Sequence, residues 1–381
     1  MKPNYERGIV NLAASLASAW GAEKTAYSPL AELPAEKLRQ RPVALLLIDG
    51  LGANMLEQYP DSHLARARTA TLSSVFPSTT ASGITSLATA VAPQQHAITG
   101  WHMWLRELGS VATILPFMPR HGGVAYSAAG WNPRQFIGAD PWHAQANIRT
   151  SLLSPKWLID SDYNRALSGS TRRLGYQDMD DFFLQLVNAL ANGLPQYLYA
   201  YWSELDGLAH QYGSYSNQVR EHFLALDSAF AAACAALQGS GALLLVSADH
   251  GFIDTDKQHT LQLSEHPALE STLAIPLCGE SRAVYCYLRH GQEANFLDYV
   301  NKELSAQCEV VNSAELIAEG WFGLGQPHPR LQERIGDYVL LMRENNILRD
   351  RLAHEKPFHH LGVHGGISYA EMTVPLIEFS T

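Results

Sequence analysis

A chain of 381 residues, 46% hydrophobic and 17% charged, has the composition of a folded globular protein and excludes an intrinsically disordered one. The formal net charge of −10 argues against a dedicated binder of long nucleic acids, which needs clustered Lys and Arg. Small phosphate compounds stay open, because a bound metal supplies local positive charge that a residue count misses.

The opening residues, "MKPNYERGIVNLAASLASAWG", predict an amphipathic helix rather than a signal peptide. Asn11 breaks the apolar run, and Glu6 and Arg7 precede it. No stretch approaches the ~20 apolar residues of a membrane span, so no membrane partner is expected. Next come "PVALLLIDG" (42–50) and, later, "QYLYAYWSELDG" (196–207) and "GALLLVSADHG" (241–251). Each is a continuous apolar run ending at an acidic residue, the pattern of a strand buried on both faces of a parallel sheet. Between the first two lies "VFPSTTASGITSLATA" (75–90), a turn crowded with hydroxyls that leads into a small-residue helix.

Residues 101–175 mix Trp, Pro, Gly and Arg irregularly and predict loops and cover elements around a site. Helical patterns follow at 179–193 and 217–239. Residues 255–350 carry a second set of short elements, "AVYCYLR", "EANFLDYVNKELSA", "CEVV" and "DYVLLMREN", expected to form a small inserted α/β subdomain. The ending "HHLGVHGGISYAEMTVPLIEFS" returns to the core as a loop and a final strand. Strand–helix alternation of this kind predicts an open α/β sheet, here a single domain over 1–381 with the two insertions. The cysteines Cys234, Cys278, Cys286 and Cys308 form no CxxC pair and read as reduced thiols, so a cytoplasmic location is expected.

In open α/β sheets ligands bind beyond the carboxyl ends of the strands. Asp49, Asp206 and Asp249 all stand at such ends. Asp206 and His210 are four apart, on one face if the segment is helical; taken alone, such a pair is usually a surface ion pair. Asp249 and His250 are adjacent before Gly251, where the backbone can turn. His359, His360 and His364 lie in the last loop, and His364 precedes two glycines. Singly, each feature has an ordinary structural explanation. Together they bring carboxylates that repel one another unless positive charge is present, and two divalent cations would supply it. Asp and His suit zinc, with manganese as the alternative. Hydroxyls at a helix N-terminus, where backbone N–H groups favour anions, supply candidate nucleophiles.

The motifs "LLLIDGLG", "FPSTTASG", "LDGLAHQYG", "VSADHG" and "HGGISYAEMTVPL", in that order, resemble the alkaline phosphatase superfamily over roughly residues 40–377. Within it the sequence is most similar to the type I phosphodiesterase and nucleotide pyrophosphatase branch. The resemblance implies a three-layer αβα sandwich with a mostly parallel central sheet. It implies one metal held by Asp49, Thr80, Asp249 and His250, and a second held by Asp206, His210 and His364. It also implies a nucleophilic Thr80, with Thr79 as the nearest rival, that forms a covalent phospho-threonine ester. The expected function is therefore metal-dependent hydrolysis of a small phosphate ester, most simply a phosphodiesterase. A phosphomonoesterase or phosphonate hydrolase on the same core is the alternative, and a non-catalytic metal- or phosphate-binding protein a more distant one.

Two departures from the branch bear on substrate. Ala81 stands where nucleotide pyrophosphatases have an aromatic that stacks on a base. Trp101 stands where they have a phosphate-contacting asparagine, with His102 and Arg106 as candidates to replace that contact. A monoester's extra charge would call for further cations, for which Arg106, Arg120 and Arg134 are available.

Overall fold

The three continuous apolar runs become three adjacent strands. In the computed structural model, which describes residues 1–23, 25–356 and 359–381, Pro42–Ile48 lies between Gln196–Trp202 and Leu243–Ser247, parallel to both. Leu45 stands level with Tyr199 on one side and Leu245 on the other. All seven residues of Pro42–Ile48 are buried, as a strand covered on both faces requires. The complete sheet has seven strands in the order Arg68–Ser73, Thr373–Ser380, Leu243–Ser247, Pro42–Ile48, Gln196–Trp202, Thr150–Pro155, Arg172–Tyr176. Six run in the same direction, and Thr373–Ser380 is antiparallel to both of its neighbours.

Alternation along Gln196–Trp202 shows how the two faces are covered. The Tyr197 ring meets Trp20 and Trp142 on the face carrying helices Ile9–Ala19 and Thr80–Thr89, which pack against each other. On the opposite face Trp202 meets Phe182 and stacks on His222, which belong to helices Met179–Leu190 and Asn217–Ala236. Helix, sheet and helix layers thus bury one large core, and each fully buried Leu or Phe in it contributes about 1.5–3 kcal/mol. Among the described residues no helix is long and apolar enough to cross a membrane.

A second seven-stranded sheet, antiparallel throughout, runs Cys308–Asn312, Tyr338–Met342, Ala283–Cys286, Cys278–Gly279, His102–Leu105, Ser110–Thr113, Met118–Pro119. Its two halves come from the two expected insertions and join where Gly279 stands opposite His102. The join is close: a Cβ on Gly100 would lie 2.8 Å from the Gly279 Cα, so only glycine fits there. The expected division of the chain therefore changes in two respects. Residues 101–119 and 278–342 build one sheet rather than a cover and a separate subdomain. Thr150–Pro155 and Arg172–Tyr176 are the last two strands at one end of the large sheet rather than cover elements. Both strands are partly polar, without the apolar continuity of the central three.

Candidate metal centre and nucleophile

Each central strand delivers its acidic residue to the same edge. Asp49 follows Pro42–Ile48 directly, and its N–H donates to the Trp202 carbonyl at 2.9 Å. Asp206 lies in the first turn of helix Glu204–Tyr212, with His210 one turn later, so His210 Nε2 comes within 3.4 Å of Asp206 Oδ1. Asp249 and His250 follow Leu243–Ser247 and are fully buried.

The hydroxyl-rich turn enters from the other side. Its four hydroxyls have separate partners. Ser78 Oγ donates to the Gly366 carbonyl at 2.8 Å and Ser82 Oγ to the Ile98 carbonyl at 3.0 Å. The Thr79 side chain lies beside Glu280. Thr80, the first residue of helix Thr80–Thr89, places its Oγ1 3.1 Å from His250 Nε2. Gly83, one turn on, lets this helix approach the acids: a Cβ there would lie 2.6 Å from the Asp249 Cβ. Ala81 is fully buried among Ile98, Met103 and Phe117, on the core side of the helix.

Three histidines share one arrangement. Nδ1 of His210 faces the Gly362 carbonyl at 2.8 Å, Nδ1 of His250 the Gly251 carbonyl at 3.1 Å, and Nδ1 of His364 the Ser78 carbonyl at 3.1 Å. A carbonyl only accepts, so each Nδ1 carries the proton and each Nε2 presents a bare lone pair. Those Nε2 atoms turn toward the carboxylates: His250 toward Asp49 Oδ1 at 3.3 Å and Asp249 Oδ2 at 3.7 Å, His364 toward Asp206 Oδ1 at 3.9 Å. The rings of His250 and His364 stack at 3.7 Å, and His360 stacks on His210 at 4.1 Å.

Asp49 Oδ1, Asp206 Oδ1 and Asp249 Oδ2 are buried and accept no hydrogen bond among the described residues. Burial, together with Asp206 and Asp249, pushes the Asp49 carboxyl well above the usual carboxylate range. Burial likewise raises Asp206, against the pull of His210 and His250. The His364 imidazole is held well below its ordinary value by burial and by the neighbouring His250 and His210, which keeps it neutral. Orphaned carboxylate oxygens facing bare imidazole lone pairs are a donor set that fits a cation. Two groups have their ligand atoms within 4.8 Å of one another: Asp49, Asp249 and His250, and Asp206, His250 and His364. All seven residues singled out in the sequence therefore meet at one place, with His250 between the two groups.

A cavity of about 630 Å³ opens beside Thr80, lined also by Asp206, His210 and His364. Trp101 and His102 line it, with His102 pushed down to about 3 by burial and by the Arg120 guanidinium. Arg106 does not reach it; that side chain is exposed and pairs with Glu333 at 2.9 Å. The reason is strand alternation and length: Arg106 lies just past His102–Leu105, at the far end from the join. Arg120 lines the cavity but is committed to Asp350 at 2.6 Å and Glu355 at 3.0 Å. Arg134 pairs with Asp140, outside it. Two residues at the site carry no sequence signal. Tyr201, whose hydroxyl donates to Asp49 Oδ2, lies inside an apolar run, and Glu280 lies in a short loop with no motif.

The type I phosphodiesterase/nucleotide pyrophosphatase family matches residues 43–366. Among curated protein sequences nothing matches the chain. Solved structures with the same fold include murine ectonucleotide pyrophosphatase/phosphodiesterase 5, with a TM-score of 0.65 at 17% identity, covering 88% of this chain and 87% of that one. An inactive threonine-to-alanine form of the murine protein, solved with AMP, gives 0.64 at 18% over the same shares. Phosphonoacetate hydrolase from Sinorhizobium meliloti 1021, solved with phosphonoacetate, gives 0.65 at 17%, covering 89% of this chain and 90% of that one. With the family matched across most of its length, the chain belongs to the type I phosphodiesterase/nucleotide pyrophosphatase family and is a phosphoester hydrolase.

Proposed function

We propose that this enzyme hydrolyses small phosphodiesters by way of a covalent intermediate on Thr80. Two divalent cations, zinc first and manganese second, would be held by Asp49, Thr80, Asp249 and His250 and by Asp206, His210 and His364. The observation that carries the proposal is the shared arrangement of the three histidines, with Nδ1 donating to backbone and Nε2 turned toward orphaned carboxylate oxygens. Bound there, the cations would neutralise the carboxylates and the phosphate and lower the pKa of a coordinated hydroxyl.

The chain's own residues set the geometry of attack. Thr80 stands at a helix N-terminus, where backbone N–H groups favour an anionic phosphate. Its oxygen forms a bond to phosphorus as the ester alcohol departs with the bonding pair; water then cleaves the phospho-threonine and restores the hydroxyl. Thr79 is the weaker candidate, since its side chain lies beside Glu280 while Thr80 Oγ1 stands 3.1 Å from His250 Nε2. Of the three arginines singled out for a monoester's extra charge, Arg106 pairs with Glu333, Arg120 with Asp350 and Glu355, and Arg134 with Asp140, which favours a diester; Arg349 and Lys356 also line the cavity, so the monoester stays in the test. The AMP and phosphonoacetate of the related structures bracket the range of phosphorus compounds to test. Four free, buried cysteines support a reducing, cytoplasmic setting.

The test combines metal content with hydrolysis of an aryl phosphodiester, its monoester and phosphonoacetate, by the native protein and Thr80→Ala. Bound metal and diester turnover that drops at least about a thousandfold in the variant are expected. Retained turnover would remove Thr80 from the role. Faster monoester or phosphonoacetate cleavage would move the assignment to that substrate.

A further inference from the structure

The wall of the cavity nearest Thr80 presents an acid. Glu280 lies in the turn after Cys278–Gly279 and lines the cavity together with Thr79 and Thr80. Its Oε1 accepts the Trp101 N–H at 2.7 Å, and its carboxyl lies beside the Thr79 side chain, next to the nucleophile. On its other side it packs against the loop that carries His364: a Cβ on Gly365 would fall 2.5 Å from the Glu280 Cβ. The carboxyl is thus fixed from two directions, between the nucleophile's neighbour and a metal-ligand loop. Arg120, Arg349 and Lys356 line the same cavity, and Arg120 is taken by Asp350 and Glu355 rather than by Glu280.

We infer that Glu280 is a specificity-determining residue that disfavours dianionic phosphates at Thr80, so that monoanionic diesters are selected over monoesters. The inference rests on the proposed role of Thr80 and deepens it. A carboxylate accepts hydrogen bonds and offers none, so its contacts with the Trp101 N–H and Thr79 suit the ionised form. A phosphate seated against Thr80 then brings its oxygens toward a group of like sign. A diester carries one negative charge to this point and a monoester two, so the penalty falls mainly on the monoester. Burial raises the carboxyl to about 7, against the pull of Thr79 and the Trp101 N–H. A dianion must then either face the charge or bring a proton with it.

Glu280→Gln keeps the shape and an oxygen to accept the Trp101 N–H while removing the charge. The ratio of kcat/KM for an aryl phosphodiester to that for its monoester is expected to fall on the order of tenfold in the variant at pH 8. Inorganic phosphate, measured by calorimetry on the metal-loaded protein, is expected to bind correspondingly tighter. Glu280→Ala serves as a second variant and moves both quantities the same way. An unchanged ratio together with unchanged phosphate affinity overturns the inference while leaving the diesterase assignment standing. A native protein that turns over neither ester refutes that assignment, and phosphate affinity alone then decides whether Glu280 excludes the dianion.

Discussion

The Tyr201 hydroxyl donates to Asp49 Oδ2 from the neighbouring parallel strand, leaving Asp49 Oδ1 turned toward His250 Nε2 at 3.3 Å. The register makes this contact: Tyr201 stands beside Leu47 and Trp202 beside Ile48, so the phenol reaches the residue that follows the strand. One carboxylate oxygen is thereby fixed, and the other is kept for the cation site.

Tyr201→Phe removes that donor and little else, since the ring stays packed in the core. Affinity for one of the two proposed cations is expected to weaken about 10–100-fold. Competition against a chromophoric chelator measures it. Equal affinity in both proteins would mean that the backbone alone orients Asp49.

The loop bearing His364 hangs on a buried ion pair. Arg282 meets Glu371 through Nε at 3.2 Å and Nη2 at 3.1 Å, and Glu371 also accepts the Gly366 and Ser368 N–H groups. Arg282→Leu would leave the Glu371 carboxylate buried without its counter-charge. A loss of roughly 3–5 kcal/mol in unfolding free energy is expected from urea denaturation of the metal-free protein. A loss under about 1 kcal/mol would show that the two backbone N–H groups suffice for Glu371.

Acid sensitivity should follow buried histidines away from the site. His96 is fully buried, hydrogen-bonded to Ser86 Oγ at 2.9 Å, and pushed down to about 3 by burial and by the nearby Arg334 and His328. Between its ordinary 6.5 and about 3 the unfolded chain binds a proton that the folded chain refuses. The stability this group confers is therefore present above pH 6.5 and lost as the pH falls, by roughly 2 kcal/mol at pH 5. His96→Gln should narrow the stability difference between pH 7 and pH 5 by about that amount. Denaturation curves at the two pH values decide it; an unchanged difference would place the acid sensitivity elsewhere.

Much of the site could be read before the fold was known, because its signals are local. Asp49, Asp206 and Asp249 end apolar runs that can only be buried parallel strands, and those strands prove adjacent. Adjacent parallel strands must discharge their carboxyl ends at one edge, so the acids meet. The His210 position follows from helical periodicity, and His250 from sequence adjacency to Asp249. The substrate side was less legible. Arg106 was a reasonable contact by proximity in sequence to Trp101, yet it lies at the wrong end of its strand and pairs with Glu333. Glu280 was invisible, because it reaches the site through a strand pairing between residues 102 and 279.

The sequence by itself determined the burial of the central strands and the residue types at their ends, since apolar continuity and local spacing are properties of short segments. Only the tertiary structure decided the rest. It turned residues 101–119 and 278–342 into one sheet, gave three histidines the same Nδ1-to-backbone orientation, and set Glu280 beside Thr79. Those outcomes depend on pairings across long stretches of chain, where close approach and the need to satisfy buried polar atoms choose among contacts that no local pattern encodes.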